Sequence, residues 1–190
     1  METYDKLITS DVISTFRLPR FSEIPDVGLY LEQTTKYINS LILPIGFEIT
    51  GSMIRNYVKM GLVSNTVHKL YYRDQIAHLI AIAILKNVVS LENIAFLFKR
   101  QQMVYTVETA YNYFCKKLES MIFYQFGIVD TVDKIGSTDS VEKKMLRSAI
   151  IAVSHITYLN ACFDTLSKTE EYKKKHLISR CFLLYIKGFD

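Results

Sequence analysis

The chain has 190 residues, enough for one compact domain or two small ones. At 49% hydrophobic and 22% charged it is not a disordered chain, and 7 Gly, 3 Pro and no Trp make poor material for a turn-rich all-β fold or a glycine-rich nucleotide-binding enzyme. Lys and Arg number 23 against 19 Asp and Glu, a net charge of +4 that is far from histone-like.

The N-terminal Met1–Asp5 is acidic and lacks an apolar core, so no signal peptide is expected. Phe16-Arg17-Leu18-Pro19-Arg20-Phe21 reads as an extended arm that packs through its two Phe rings. From Asp26 to Leu43 the apolar residues recur at steps of three and four, which predicts an amphipathic helix. Pro25 and Asp26 are suited to start it, and Pro44 and Gly46 to stop it. A short helix follows, capped by Thr50 or Ser52 and ended by Gly61. Its Ile54, Tyr57 and Val58 face inward, and Arg55, Asn56 and Lys59 outward. Val63 to Tyr72 is rich in β-branched and aromatic residues around Ser64-Asn65-Thr66, which predicts a short hairpin with that tip.

Ile76 to Phe98 is the most apolar stretch, but His78, Lys86, Asn87, Ser90, Glu92 and Asn93 interrupt it. It reads as two buried helices, Asp74 to Val88 and one capped by Ser90, and not as a membrane span. Beyond it everything reads as helical. Val104, Val107, Tyr111, Phe114, Leu118 and Met121 form one seam, and Leu146, Ala149, Val153, Ile156, Asn160 and Phe163 a second. Asp130 to Ser137 is the expected loop, Asp139-Ser140-Val141-Glu142 offers capping-box chemistry, and a last helix is expected from Lys168 to Ile186. The seams can pair within one chain or build a homodimer, and the two are compatible. Asn160 can fix register or hydrogen-bond to backbone.

The three cysteines, Cys115, Cys162 and Cys181, are odd in number and widely spaced, which fits buried reduced thiols and not a disulfide framework or zinc site. His155 and Cys162 lie seven apart on one helix face, but two ligands do not make a metal site. There is no phosphate loop, dinucleotide fingerprint, H-E-x-x-H or G-x-S-x-G, so neither an enzyme nor a cofactor is expected. The aromatic residues of the second half read first as core and second as the lining of a small-molecule effector pocket.

Charge is uneven along the chain. Residues 51–100 hold seven positive and two negative side chains, net +5, and the remainder is −1. Such a local excess suits phosphate. Arg binds guanine bidentately and Asn binds adenine, and Arg55 and Asn56 stand together on the outer face of the short helix. Thr50 and Ser52 lie at its N-terminus, where a phosphate is favoured, and Lys59, His68, Lys69, Tyr71 and Arg73 flank it.

Helix, recognition helix, hairpin, helix, helix is the order of a MerR-type winged helix, and the residues resemble that family. Arg55, Tyr57, Gly61 and Leu62 match its recognition helix and turn, Tyr71 to Leu79 resembles the wing exit, and Ser90-Leu91-Glu92-Asn93-Ile94 is similar to its Ser-Leu-Glu-Glu-Ile signature. A closer resemblance is to a bacterial family of functionally uncharacterised YkrK-type proteins, through Leu18 to Phe21, a Pro-Asp start and Ile49 to Lys59. Asn56 departs from the MerR pattern, and the wing is short and weakly charged.

The resemblance implies a mainly α fold: an arm and MerR-like winged helix over 1–101, then an all-helical dimerisation or effector domain over 102–190. It implies a cytoplasmic transcription regulator that reads duplex DNA with residues 51–60 as a homodimer through its C-terminal helices. The alternatives are a protein-interaction module on a winged helix that has lost DNA, or a small-molecule binder without DNA.

Overall fold

The computed structural model describes residues 11–132 and 140–186, with side chains over 13–132 and 140–168. After the single turn α1 (Asp11–Ser14), the arm runs to a 3-10 turn at Phe21–Glu23. The elements that follow are β1 (Leu29–Tyr30), α2 (Leu31–Ile42), α3 (Gly51–Lys59), β2 (Leu70–Tyr71), α4 (Arg73–Leu85), α5 (Leu91–Gln102), α6 (Val107–Gln125) and α7 (Val141–Ile186). The chain is mainly helical. Its one described sheet is two-stranded and antiparallel, with Leu29 opposite Tyr71 and Tyr30 opposite Leu70.

The apolar helix α4 is buried on nearly every side, from Gln75 through Leu85 with only His78 partly exposed. Each fully buried Ile or Leu there contributes about 1.5–3 kcal/mol from apolar burial. α2, α5 and α6 pack around α4, and α7 packs along α6 and reaches α4 and α5. The core runs without interruption from Ile13 to Val153.

Three starts share one device. The backbone N–H of Arg20 donates to Glu23 (2.6 Å), that of Tyr30 to Gln33 (2.9 Å) and that of Tyr72 to Gln75 (2.8 Å). Each satisfies a donor that a helical start leaves open. Thr50, Ser90, Thr106 and Ser140 supply hydroxyl caps at α3, α5, α6 and α7.

The arm is tied to α6. Leu18 N–H donates to Glu119 (2.9 Å), Arg20 grips both Glu119 oxygens (2.8 and 2.6 Å), and Phe21 N–H donates to Asn112 (2.8 Å). Phe16 is buried, and Phe21 meets Tyr111 edge-on.

Several expectations are corrected. α2 begins at Leu31, not Asp26, because residues 29–30 are extended to pair with β2. Gly28 makes that pairing possible: its φ is +75°, and a Cβ would lie 3.2 Å from Leu70 and Tyr72. The expected Val63–Tyr72 hairpin is only a turn at His68–Lys69 (φ +51° and +64°) closed by a single Val67–Leu70 bridge: residues 63–66 form no strand, Ser64–Thr66 is not the tip, and β2 pairs with β1 instead. α6 starts at Val107, leaving Val104 exposed. No new helix begins at Lys168: α7 runs 46 residues unbroken, with neither Gly nor Pro between 141 and 186. Its inward seam ends near Thr157, so Asn160 and Phe163 are exposed. Asp130 to Val132 lie outside the helices, whereas residues 133–139, including Asp139 of the expected capping box, lie outside the described residues.

Over Val141–Lys168 α7 is long and apolar enough, by length and composition, to cross a membrane. Its inward face there, Leu146, Ile150 and Val153, is packed in the protein core.

Candidate nucleic-acid interface

The exposed face of α3 is built from a clasp beneath it. The Asn39 side chain on α2 donates to the Ile49 carbonyl and accepts from the Ile49 N–H, both at 2.9 Å. This pair fixes the turn between α2 and α3. Thr50 then caps α3, accepting from Met53 N–H at 3.3 Å and sharing a 2.8 Å hydrogen bond with Ser52. Ile54 and Tyr57 are buried, which forces Ser52, Arg55, Asn56 and Lys59 outward, where all four are exposed. Gly61 at φ +73° turns the chain out of the helix.

Tyr71, just after the His68–Lys69 turn, approaches this face. Arg55 lies close enough to Tyr71 to draw the Tyr71 hydroxyl pKa down against the larger upward push of burial. His68 and Lys69 are exposed at the turn. Asn56 donates to the Met60 thioether at 3.4 Å, a weak contact that leaves its carbonyl oxygen outward-facing chemistry to offer.

Two expected contacts have other roles. Tyr71 is only 5% exposed and is part of the core, because its strand position turns its ring inward. Arg73 is bound internally: its Nε donates to the Ile24 carbonyl at 2.9 Å, its guanidinium pairs with Asp26 at 3.5 Å, and it lies over the Phe21 ring. Thr50, Ser52, Arg55, Asn56 and Lys59 are thus exposed together along α3, His68 and Lys69 are exposed at their own turn, and Tyr71 and Arg73 are built into the fold.

Sequence reasoning missed Asn39 and Lys86. Asn39 gives no sign of its clasp, since an Asn inside a helical pattern reads as solvent-facing. Lys86, at the end of α4, reaches the Met53 thioether of α3 at 3.6 Å. Partial burial holds its ammonium pKa below the usual value, opposed by the charge of Glu48. Its only signal was membership of the positive window. Among the described residues, no group of three or more His, Cys, Asp or Glu is placed to hold a metal ion.

Residues 19–114 match a protein family described as a domain of unknown function, DUF1836. No curated protein and no solved structure matches the chain.

Proposed function

We propose that this chain, which belongs to the DUF1836 family, is a cytoplasmic bacterial transcription regulator that binds duplex DNA through α3, in the manner of a MerR-like winged helix. The observation that carries the reading is the capped, clasped α3 with Ser52, Arg55, Asn56 and Lys59 on its free face. A helix of this length, anchored at its base and bare on its outer side, is suited to the major groove. Arg55 and Asn56 read bases, and Thr50, Ser52, Lys59, Lys69 and Lys86 hold phosphates.

The protein acts as a homodimer, and the surface that supports this is the outward line of α7. Met145, Ala152, Leu159 and Leu166 recur there at every seventh position, all exposed, with Phe163 beside them. A seven-residue repeat is the spacing at which two helices pack seam to seam. A two-fold dimer presents two α3 helices to two half-sites.

The test is anisotropy binding to a pool of genomic duplexes across a salt series. With about three phosphate contacts per protomer, log affinity falls against log salt with a slope of about −3 per protomer. Arg55→Ala costs roughly 1–3 kcal/mol and relaxes sequence preference. No binding by the wild type at low salt sinks the reading.

One observation favours the rival, a protein-interaction module. Arg73 and Arg100 are both paired with acids, which thins the phosphate-binding charge. An apolar protein interface is insensitive to the same salt series.

A further inference from the structure

The outward line of α7 has a second set of positions. Met145, Ala152, Leu159 and Leu166 stand seven apart, and Ser148, His155 and Cys162 fall between them, also seven apart. Steps of three and four along a helix trace one seam, so the two sets share it. Six of these seven residues are exposed and Cys162 is partly buried. Leu146, Ile150, Val153 and Thr157 face the other way, into the core, where α4, α5 and α6 meet α7.

The seam is free of formal charge over a long run. No Asp, Glu, Lys or Arg lies between Arg147 and Asp164, and His155 stands in the middle of that stretch. One turn away on either side are Ile151, Ala152, Tyr158 and Leu159, none of them acidic. Tyr158 turns its ring onto Phe126 of the core (5.2 Å between centroids), so it stands off the seam. The other titratable group on the seam is Cys162. Between about pH 5.5 and 7.5 imidazole is the ordinary side chain that changes charge, and thiols and phenols keep their protons.

We propose that protonation of His155 dissociates the α7-to-α7 pair, which makes this seam a pH-sensitive contact between two copies of the chain. The inference rests on the homodimer reading above and adds its regulation. An uncharged stripe is matched by another like it, which a second copy supplies, whereas a charged partner meets no counter-charge there. Whether the two helices run parallel or antiparallel, pairing along the seam brings the imidazole between the Ala152 and Leu159 layers. A neutral imidazole is tolerated in that place. An imidazolium is a cation in an apolar contact with no carboxylate on the seam to receive it, so the ring sheds its proton or the helices part. Acid therefore yields single chains, each with one α3 helix.

Sedimentation equilibrium of the full chain at about pH 7.5 and about pH 5.5, at equal ionic strength, tests this. About one pH unit below its midpoint, an imidazole that the dimer keeps neutral weakens association about tenfold per chain, so the dissociation constant rises about a hundredfold for the pair. The helical signal is the same at both pH values. His155→Gln is dimeric and does not respond to the pH change, and His155→Leu serves in its place where the Gln variant does not pair. His176→Gln, the other histidine of α7, keeps the wild-type response. A wild type equally dimeric at both pH values overturns the inference and leaves the dimer standing. So does a pH response retained in both His155 variants. A wild type that is monomeric at about pH 7.5 sinks the dimer reading and this inference with it.

Discussion

Burial keeps the Cys115 thiol protonated: its pKa is pushed up to about 12, with the neighbouring Tyr111 hydroxyl and the Arg20 charge acting in the opposite direction. Burial raises the Tyr111 hydroxyl pKa as well. Both shifts have the same sign for stability. Above about pH 9 the unfolded thiol loses its proton while the folded one keeps it, so the unfolded state binds fewer protons and stability falls as pH rises. The fall is about 1.4 kcal/mol per pH unit for each such group, from about pH 9 toward 12 for Cys115. Urea unfolding at neutral and alkaline pH measures this. Cys115→Ala has the flatter profile, and an identical alkaline decline in the variant counts against the assignment. The ion pairs at Arg73 and Arg100 belong to this scale too. The sequence displays both as part of a positive window, yet their carboxylate partners, Asp26 and Glu142, lie 47 and 42 residues away. Charge counted along a chain therefore overstates what a phosphate meets.

At the scale of elements, the His68–Lys69 turn is the informative part. His68 and Lys69 both occupy the left-handed region, at φ +51° and +64°, which residues with a Cβ enter at a cost. Lys69→Gly relieves that cost and stabilises the fold by about 1 kcal/mol, read as a raised melting temperature. If Lys69 holds a phosphate, the same change weakens DNA binding and reduces the salt slope by about one. A variant that melts lower shows the backbone there to be unstrained.

The turn also shows why sequence reading stops where it does. α3, α4 and α5 were legible because helical periodicity and hydroxyl caps are local, and Ile54, Tyr57, Ser90 and Ile94 carry that pattern in a few residues. β1 and β2 are two residues each and pair across 40 positions, so no local alternation announces them. Ser64-Asn65-Thr66 looked like a turn by composition, but the Leu29–Tyr71 register put the reversal at His68–Lys69. The outer face of α3 was legible from its inner face, and the Asn39 clasp and the inward turn of Tyr71 were not, since each depends on a partner distant in sequence.

For the whole molecule, the length of α7 sets the geometry. Its 46 residues span about 69 Å at 1.5 Å per residue, against about 28 Å for the 19 of α6. α7 therefore outruns the helix it packs on, and Leu159, Phe163 and Leu166 lie on its exposed side. The Leu159→Glu/Phe163→Glu double variant is monomeric by sedimentation equilibrium where the wild type is a dimer, and it keeps its helical signal. A wild type that sediments as a monomer, or that enters detergent or membrane fractions through this helix, removes α7 as the dimer surface.

The arm's attachment to Glu119 has a consequence for the order in which the protein is made. Leu18 leaves the ribosome first, and the carboxylate that receives its N–H follows 101 residues later. At about 5–20 residues per second the delay is roughly 5–20 s. Throughout it Phe16 and Leu18, which are buried once folding is complete, have no finished surface to rest on. The N-terminal helices can assemble in that interval, but the strap across α6 closes only after α6 itself has been translated. An apolar segment synthesised well before α6 is thus among the last to be covered.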